Sequence, residues 1–410
     1  MKTVKLIFLF LITSTFAVYS QGGSNFSVIG IGDINYFGNS AYAGLAGTQM
    51  AFPAEYSINM RNPAMWSFVT NTRLQAGYKF NQNIVSTNES TIWHNNGAIS
   101  GFSGIFAMDS TYSIASSFGI VPYSSVNYLT ATKTKITDFG LELDGETQYQ
   151  GTGGLSQAYI GLSGKITDYI GIGAMINTTF GVIEANRLTS FNNDFYSFRY
   201  QTTKSDYVSG FGSKIGAFIT PVKDLIIGVS YELSPNFGIT SETNYKSPTI
   251  TDTTISVDNE ITVPSMFGLG ASYSSGNFIF GADLMMQDFT NFNYNPGANT
   301  QFTNSIITSI GVNRIGNPSV NAPLADRISY KFGAGYNHLY YKVLGNQIQE
   351  YIGSVGMQIP FAGSMVVDFS FILGYRSSGD SRLVNEYFGR FGFDISIGET
   401  WFKPFMREFD

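Results

Sequence analysis

The chain has 410 residues, of which 13% are charged and 15% aromatic, with 45 glycines, no cysteine and a formal net charge of −6. Without cysteine there are no disulfide staples and no thiolate metal sites, and the two histidines, His94 and His338, are too few for an all-histidine centre. The acidic balance disfavours nucleic-acid partners, which call for a basic patch, and a soluble exterior of this size usually carries more charge.

The chain opens with Lys2 and Lys5, an apolar run from Leu6 to Ala17, and Val18-Tyr19-Ser20 ahead of Gln21. That order predicts a secretory signal peptide over residues 1–20. At about a dozen residues the run is too short to cross roughly 30 Å of hydrocarbon as a retained helix. Elsewhere no stretch reaches spanning length without a charge or a cluster of Gly, Asn or Ser, so no helical anchor is expected.

Residues 21–71 follow no strand period. They carry Gly30-Ile31-Gly32-Asp33, then Ala43-Gly44-Leu45-Ala46-Gly47, then Asn62-Pro63-Ala64-Met65-Trp66. Small residues in series allow close backbone approach, and Pro63 is pre-set for a first helical position. Met60, Met65, Trp66 and Phe68 need burial somewhere.

From Thr72 onward, alternating segments of about the ten residues that cross a bilayer on a tilt recur between turn signals. They fall near 73–81, 97–108, 110–121, 155–165, 168–181, 207–220, 223–234, 261–274, 277–290, 303–314, 326–341, 348–359, 365–376 and 387–401, fourteen in all. Asking which parity carries no charge assigns the lipid face. Leu225, Ile227, Val229, Tyr231 and Leu233 would face outward, with Gly228, Ser230 and Glu232 toward a lumen. Tyr330, Phe332 and Ala334 lie likewise opposite Ser329, Lys331 and Gly333, and Phe278, Phe280 and Met286 opposite Asp283, Met285 and Gln287. Lumen charges such as Arg390, Asp394, Asp368, Arg327, Lys331 and Asp283 are expected to pair across strands.

Tight turns at Asp109-Ser110, Ile166-Thr167, Pro221-Val222-Lys223, Ser274-Ser275-Gly276 and Phe361-Ala362-Gly363 mostly alternate with long polar links at 82–96, 122–154, 182–206, 235–260 and 291–302. Short periplasmic turns against longer external connections are the asymmetry of bacterial outer-membrane barrels. The pattern predicts an all-β protein: a 14-stranded antiparallel transmembrane β-barrel over residues 73–410, with residues 21–72 stored inside as a plug. A secreted β-sandwich or β-solenoid, and a periplasmic tail in place of the plug, are the alternatives.

The run Ala43-Gly44-Leu45-Ala46-Gly47 with Asn62-Pro63-Ala64 just before the first strand resembles the N-terminal hatch of FadL-type transporters of Gram-negative outer membranes. Arg327 to Tyr336, Gly356-Met357-Gln358-Ile359-Pro360, Asn385-Glu386-Tyr387 and Gly398 to Lys403 are similar as well. The resemblance implies a plugged, monomeric barrel that takes up long-chain fatty acids or other hydrophobic compounds and releases them laterally at a strand kink, placed here near Gly119 and Pro122. Only Asn62, Pro63 and Ala64 carry over by motif. PorV-like barrels of type IX secretion share the barrel and hatch but bind protein, and they are the alternative.

No nucleophile elbow and no phosphate-cradling glycine loop occurs, so the chain is read as a non-enzyme without cofactor or metal. His94, in a long link, and His338, at a strand end, read as interfacial or solvated, and Asp138, Glu142, Asp144 and Glu146 as a solvated charge run. Phe191, Phe195, Tyr196, Phe198, Phe289 and Phe292 in the external links are candidates for a ligand-catching surface. The expected partners are a hydrophobic small molecule, outer-membrane lipids and, in the alternative, a secretion-system protein.

Overall fold

The computed structural model describes residues 23–86, 91–109, 112–138, 141–192, 197–247, 251–319, 321–361, 364–380 and 382–399. The predicted signal peptide and the stretch from Thr400 to Lys403 lie outside them. Fourteen antiparallel strands form a closed wall: β1 (Thr72–Ser86), β2 (Thr91–Asp109), β3 (Ile114–Ser125), β4 (Leu141–Thr167), β5 (Ile170–Asn192), β6 (Ser197–Val222), β7 (Leu225–Lys246), β8 (Met266–Ser275), β9 (Phe278–Asp288), β10 (Asn304–Arg314), β11 (Ser329–Val343), β12 (Asn346–Pro360), β13 (Val366–Ser377) and β14 (Asn385–Glu399). Closure is made by β14 against β1, in register from Asn385 opposite Ser86 to Glu399 opposite Thr72.

Side chains alternate across that wall as the pleat requires. On β7, Val229, Tyr231 and Leu233 are exposed while Gly228, Ser230 and Glu232 are buried; on β11, Tyr330, Phe332 and Ala334 point out and Ser329 and Lys331 in. Each of the fourteen strands presents at least one large exposed apolar residue, from Leu74 and Tyr78 on β1 through Ile310 on β10 to Ile395 and Ile397 on β14. Water-soluble surfaces do not sustain an apolar belt around a whole circumference; lipid tails do.

Most of the expected polar links turn out to be strand. The β1–β2 hairpin runs paired to Ser86 opposite Thr91, where 82–96 was read as a link. Strands β4 to β7 have 27, 23, 26 and 22 residues, far beyond the roughly ten needed to cross a bilayer. Two further strands flank their outer halves, Tyr128–Asp138 against β4 and Thr253–Thr262 against β7. A six-stranded sheet therefore stands beyond the membrane where 122–154, 182–206 and 235–260 suggested loops. Its outer part buries hydroxyls more than apolar side chains, in ladders such as Thr134 to Thr147 at 2.9 Å and Thr147 to Thr189 at 3.1 Å, so the apolar alternation that marks a half-buried strand is missing. Only 291–302 remains largely irregular, ending in the short strand Thr300–Phe302.

Placing a guanidinium on the lipid face at mid-depth should cost about 2–4 kcal/mol. Phe332→Arg is expected to lower the unfolding free energy by that amount, read from urea titration of the barrel refolded in phospholipid vesicles, whereas Phe332→Leu should be nearly neutral.

Candidate functional site

Residues 23–71 pack against the inner face of the wall, and the Asn-Pro-Ala turn shows how. Asn62 caps the 3-10 helix Pro63–Phe68, its Oδ1 accepting from the Ala64 N–H at 3.1 Å. Its Nδ2 donates to the carbonyls of Met50 at 2.8 Å and of Ala217 on β6 at 3.1 Å, so a fully buried amide has three partners. The wall is cut away to receive it. Any side chain on Gly216 would strike Asn62 and Pro63, and one on Gly173 of β5 would strike the Pro63 backbone. Asn59, not singled out from sequence, is a second hub: its Oδ1 accepts from Arg61 and Asn62, its Nδ2 donates to Gln49, and its carbonyl receives the Trp66 indole N–H at 2.6 Å.

Wall carboxylates and hydroxyls supply partners for the segment's backbone. Asp283 on β9 accepts from the N–H groups of Gln49 at 2.6 Å and Met50 at 2.8 Å, and Asp394 on β14 from Ser40 at 2.6 Å. Ser354 on β12 accepts from Ala46, and Lys214 on β6 donates to the Met60 carbonyl at 3.0 Å while facing Glu232. The expectation of cross-strand pairing holds for Lys331 and Asp368 at 2.7 Å. It fails for Asp283 and Asp394, which were expected to meet wall cations and instead meet backbone N–H groups. Arg327 lies in the short helix Leu324–Arg327, before β11 begins.

At the outer end the lumen is closed by apolar packing. Phe26, Ile29 and Ile31 of the segment meet Leu155, Ile183, Val208, Phe237 and Ile239 of β4 to β7, with Tyr340 and Tyr341 of β11. Phe289 and Phe292 belong to this cluster and are buried, Phe289 with its ring 4.5 Å from Tyr340 and 5.4 Å from Phe292. Tyr294, from the same link, donates to Asp206 at 2.7 Å; burial first and that hydrogen bond second raise its pKa, so it stays a donor. Phe191 is also buried, near the outer end of β5, with its ring against Tyr200. Phe198 pairs with it through the backbone, while Phe195 and Tyr196 lie outside the described residues. The structure thus gathers two of the six candidate residues at the mouth and places Phe191 far along the projecting sheet. His94 is buried in the β1–β2 hairpin rather than solvated, and His338 Nδ1 lies 3.0 Å from the Asn304 carbonyl.

One seam of the wall is split. Strands β2 and β3 pair only from Phe102 opposite Ile120 down to Asp109 opposite Ile114. Above that, β2 follows β1 and β3 follows β4, with Gly101 at φ +126° where β2 turns away and a register shift between Pro122 and Ser124 on β3. The freed edge of β3 is taken by the segment itself. Asp33 and Ile34 pair with Ser125 and Ser124, the Asn35 N–H donates to Tyr123 at 2.9 Å, and its side-chain amide to Pro122 at 3.2 Å.

A closed fourteen-stranded barrel with an apolar belt and this interior is an outer-membrane β-barrel of FadL-like architecture. Over residues 1–407 the chain matches the sequence model of the BamG family, and it belongs to that family. Among solved structures it is similar to a Pseudomonas aeruginosa FadL homologue, at 10% identity and a TM-score of 0.66 over 89% of this chain and 99% of that one. The Ralstonia pickettii toluene transporter TbuX follows at 12% identity and 0.62, over 88% and 98%, and the Pseudomonas putida toluene transporter TodX at 11% and 0.60, over 91% and 100%. No curated protein sequence matches the chain.

Removing the Asn62 amide strands the buried Met50 carbonyl and the buried Ala64 N–H, at roughly 1–3 kcal/mol each. Asn62→Ala is expected to lower the unfolding midpoint, and Gly216→Val to make residues 23–71 susceptible to protease while the barrel keeps its heat-modifiable mobility on gels.

Proposed function

We propose that the protein carries hydrophobic compounds, long-chain fatty acids or molecules of similar character, across the outer membrane, with residues 21–72 as a movable hatch inside the barrel of residues 73–410. The observation that carries this reading is the split between β2 and β3, where residues 33–35 take the freed edge of β3. An apolar molecule cannot cross the polar saccharide layer outside unaided. The aromatic mouth around Phe289, Phe292 and Tyr340 offers an apolar surface, and movement of the hatch strand would open the seam sideways toward lipid. The likeness to hydrocarbon-transporter barrels supports the same direction through the shared fold.

Uptake of labelled fatty acid by cells with and without the gene tests the reading, and equal rates reject it. A sealed barrel should pass little current in a planar bilayer. Asn35→Pro deletes the N–H that bonds Tyr123 and the side chain that bonds Pro122, and it is expected to raise conductance several-fold over the native protein.

The six-stranded projecting sheet favours a second reading, a protein-binding accessory barrel. A stoichiometric large partner retained in a mild-detergent pull-down, and lost when the outer halves of β4 to β7 are shortened in register, would establish it; retention of that partner by the shortened protein would count against the sheet.

A further inference from the structure

The projecting sheet ends in two edges that are guarded differently. Among the described residues the edge strand Tyr128–Asp138 pairs along its length only with β4, and it carries Lys133 and Lys135, both exposed, the kind of side chain that keeps a free edge from taking on another chain. The opposite edge strand, Thr253–Thr262, pairs only with β7, from Thr253 opposite Tyr245 to Thr262 opposite Asn236. It contains no lysine, proline, glycine or register shift; six of its ten residues are β-branched, and all but Ile261 are exposed. A strand bonded on one side only leaves the N–H and C=O groups of its other side to water.

The two faces of this open strand are unlike. Ile255 and Val257, each half-exposed, point to the mouth side, in the row of Ser241 and Asp206. Asp258 and Glu260 point to the other face, where Glu242 of β7 lies opposite Ser256. Among the described residues these three carboxylates form no ion pair, and Asp258 accepts only from the Thr240 hydroxyl at 2.7 Å. Asp258 and Glu260 rim an open depression that has Gly238 in its floor and the half-exposed Tyr207 ring beside it. A cation seated there meets carboxylates on one side and an aromatic ring on the other. Exposed ion pairs add little energy each, so charge selects the partner here and a backbone ladder holds it.

We propose that Thr253–Thr262 takes on an added β-strand from a separate polypeptide, an extended segment with basic side chains at every second position and β-branched ones between. The segment's backbone continues the ladder, its cations face Glu242, Asp258 and Glu260, and its apolar side chains extend the patch of Ile255 and Val257. The same edge of a second copy would set carboxylate against carboxylate, which destabilises. The inference deepens the protein-binding reading above and rests on it for the nature of the partner; it is independent of transport.

The test uses the full chain in non-ionic detergent and three peptides of about ten residues. One alternates Lys and Val, one alternates Glu and Val, and the third is the Lys form N-methylated at every amide, which keeps the charge and cannot join a ladder. The Lys peptide should bind about tenfold or more tightly than either of the others and slow amide hydrogen exchange in residues 253–262. Asp258→Lys with Glu260→Lys should reverse the order of the Lys and Glu peptides. Ile255→Lys with Val257→Lys, which gives this edge the guard of the other, should weaken binding about tenfold. Equal affinity for the Lys peptide and its methylated form means that charge acts alone and overturns the proposal. Equal affinities for the Lys and Glu peptides, no binding at about 1 mM, or unchanged binding to the Lys-guarded variant do the same. Self-association of the chain that these substitutions abolish makes a second copy the occupant and rejects a separate partner, and slowing by lipopolysaccharide but not by the peptide gives the edge to lipid head groups. If the peptides behave as expected while a mild-detergent pull-down retains no partner, the edge stands and the protein-binding reading falls; a partner retained by the Lys-guarded variant keeps that reading and overturns this edge.

Discussion

Everything in this molecule follows from β14 hydrogen-bonding to β1. Once the sheet closes, each strand has one face on lipid and one on the lumen, and parity alone decides which residues may be charged. The lumen face must then be polar, yet it is also confined, so its donors and acceptors need partners that water inside a narrow barrel cannot fully supply. The N-terminal segment answers that need. Its backbone N–H groups reach Asp283, Asp394 and Ser354, and its carbonyls receive Lys214 and Ser272.

The dependence runs both ways. A segment with little regular structure carries many orphan backbone groups, and enclosed alone it would be costly. The wall meets it with carboxylates where N–H groups converge and with glycines where its chain presses closest: Gly356 against Gly44, Gly311 and Gly333 against Leu45, Gly216 against Asn62. Two N–H groups converging on one oxygen of Asp283 fix both distance and direction, which suits a contact that must be specific without being covalent. The outer closure is of another kind, mostly apolar and aromatic, and pinned at two points where the hydroxyls of Tyr340 and Tyr294 donate to the Ile29 and Gly32 carbonyls and to Asp206.

The barrel was legible because its signal is repeated fourteen times. Val229-Ser230-Tyr231-Glu232-Leu233 alternates unmistakably, and each forecast strand overlaps an observed one. The projecting sheet was not legible, since residues such as Thr132, Thr134, Thr147 and Thr189 carry no apolar contrast between faces even though threonine favours strands. Burial of the N-terminal segment could be anticipated from Met65 and Trp66, both fully enclosed. Which wall residues hold it could not, because whether Asp283 meets a cation or a pair of N–H groups depends on the path of a chain without period. Phe289 and Phe292 looked like external surface because they lie in a link; that link folds back over the lumen and buries them.

The strands β4 to β7 share one uninterrupted register from the bilayer to their outer turns, broken only where β6 shifts against β7 near Gly212 and close to the inner turns. Since neighbouring side chains alternate, an insertion of one residue in a single arm would invert every position beyond it. Length in this region therefore changes with least disturbance by equal additions to both arms of a hairpin together. Over evolutionary time the height of the sheet above the cell should vary in such paired increments, making the hairpin, and not the residue, the unit on which selection at the cell surface can act.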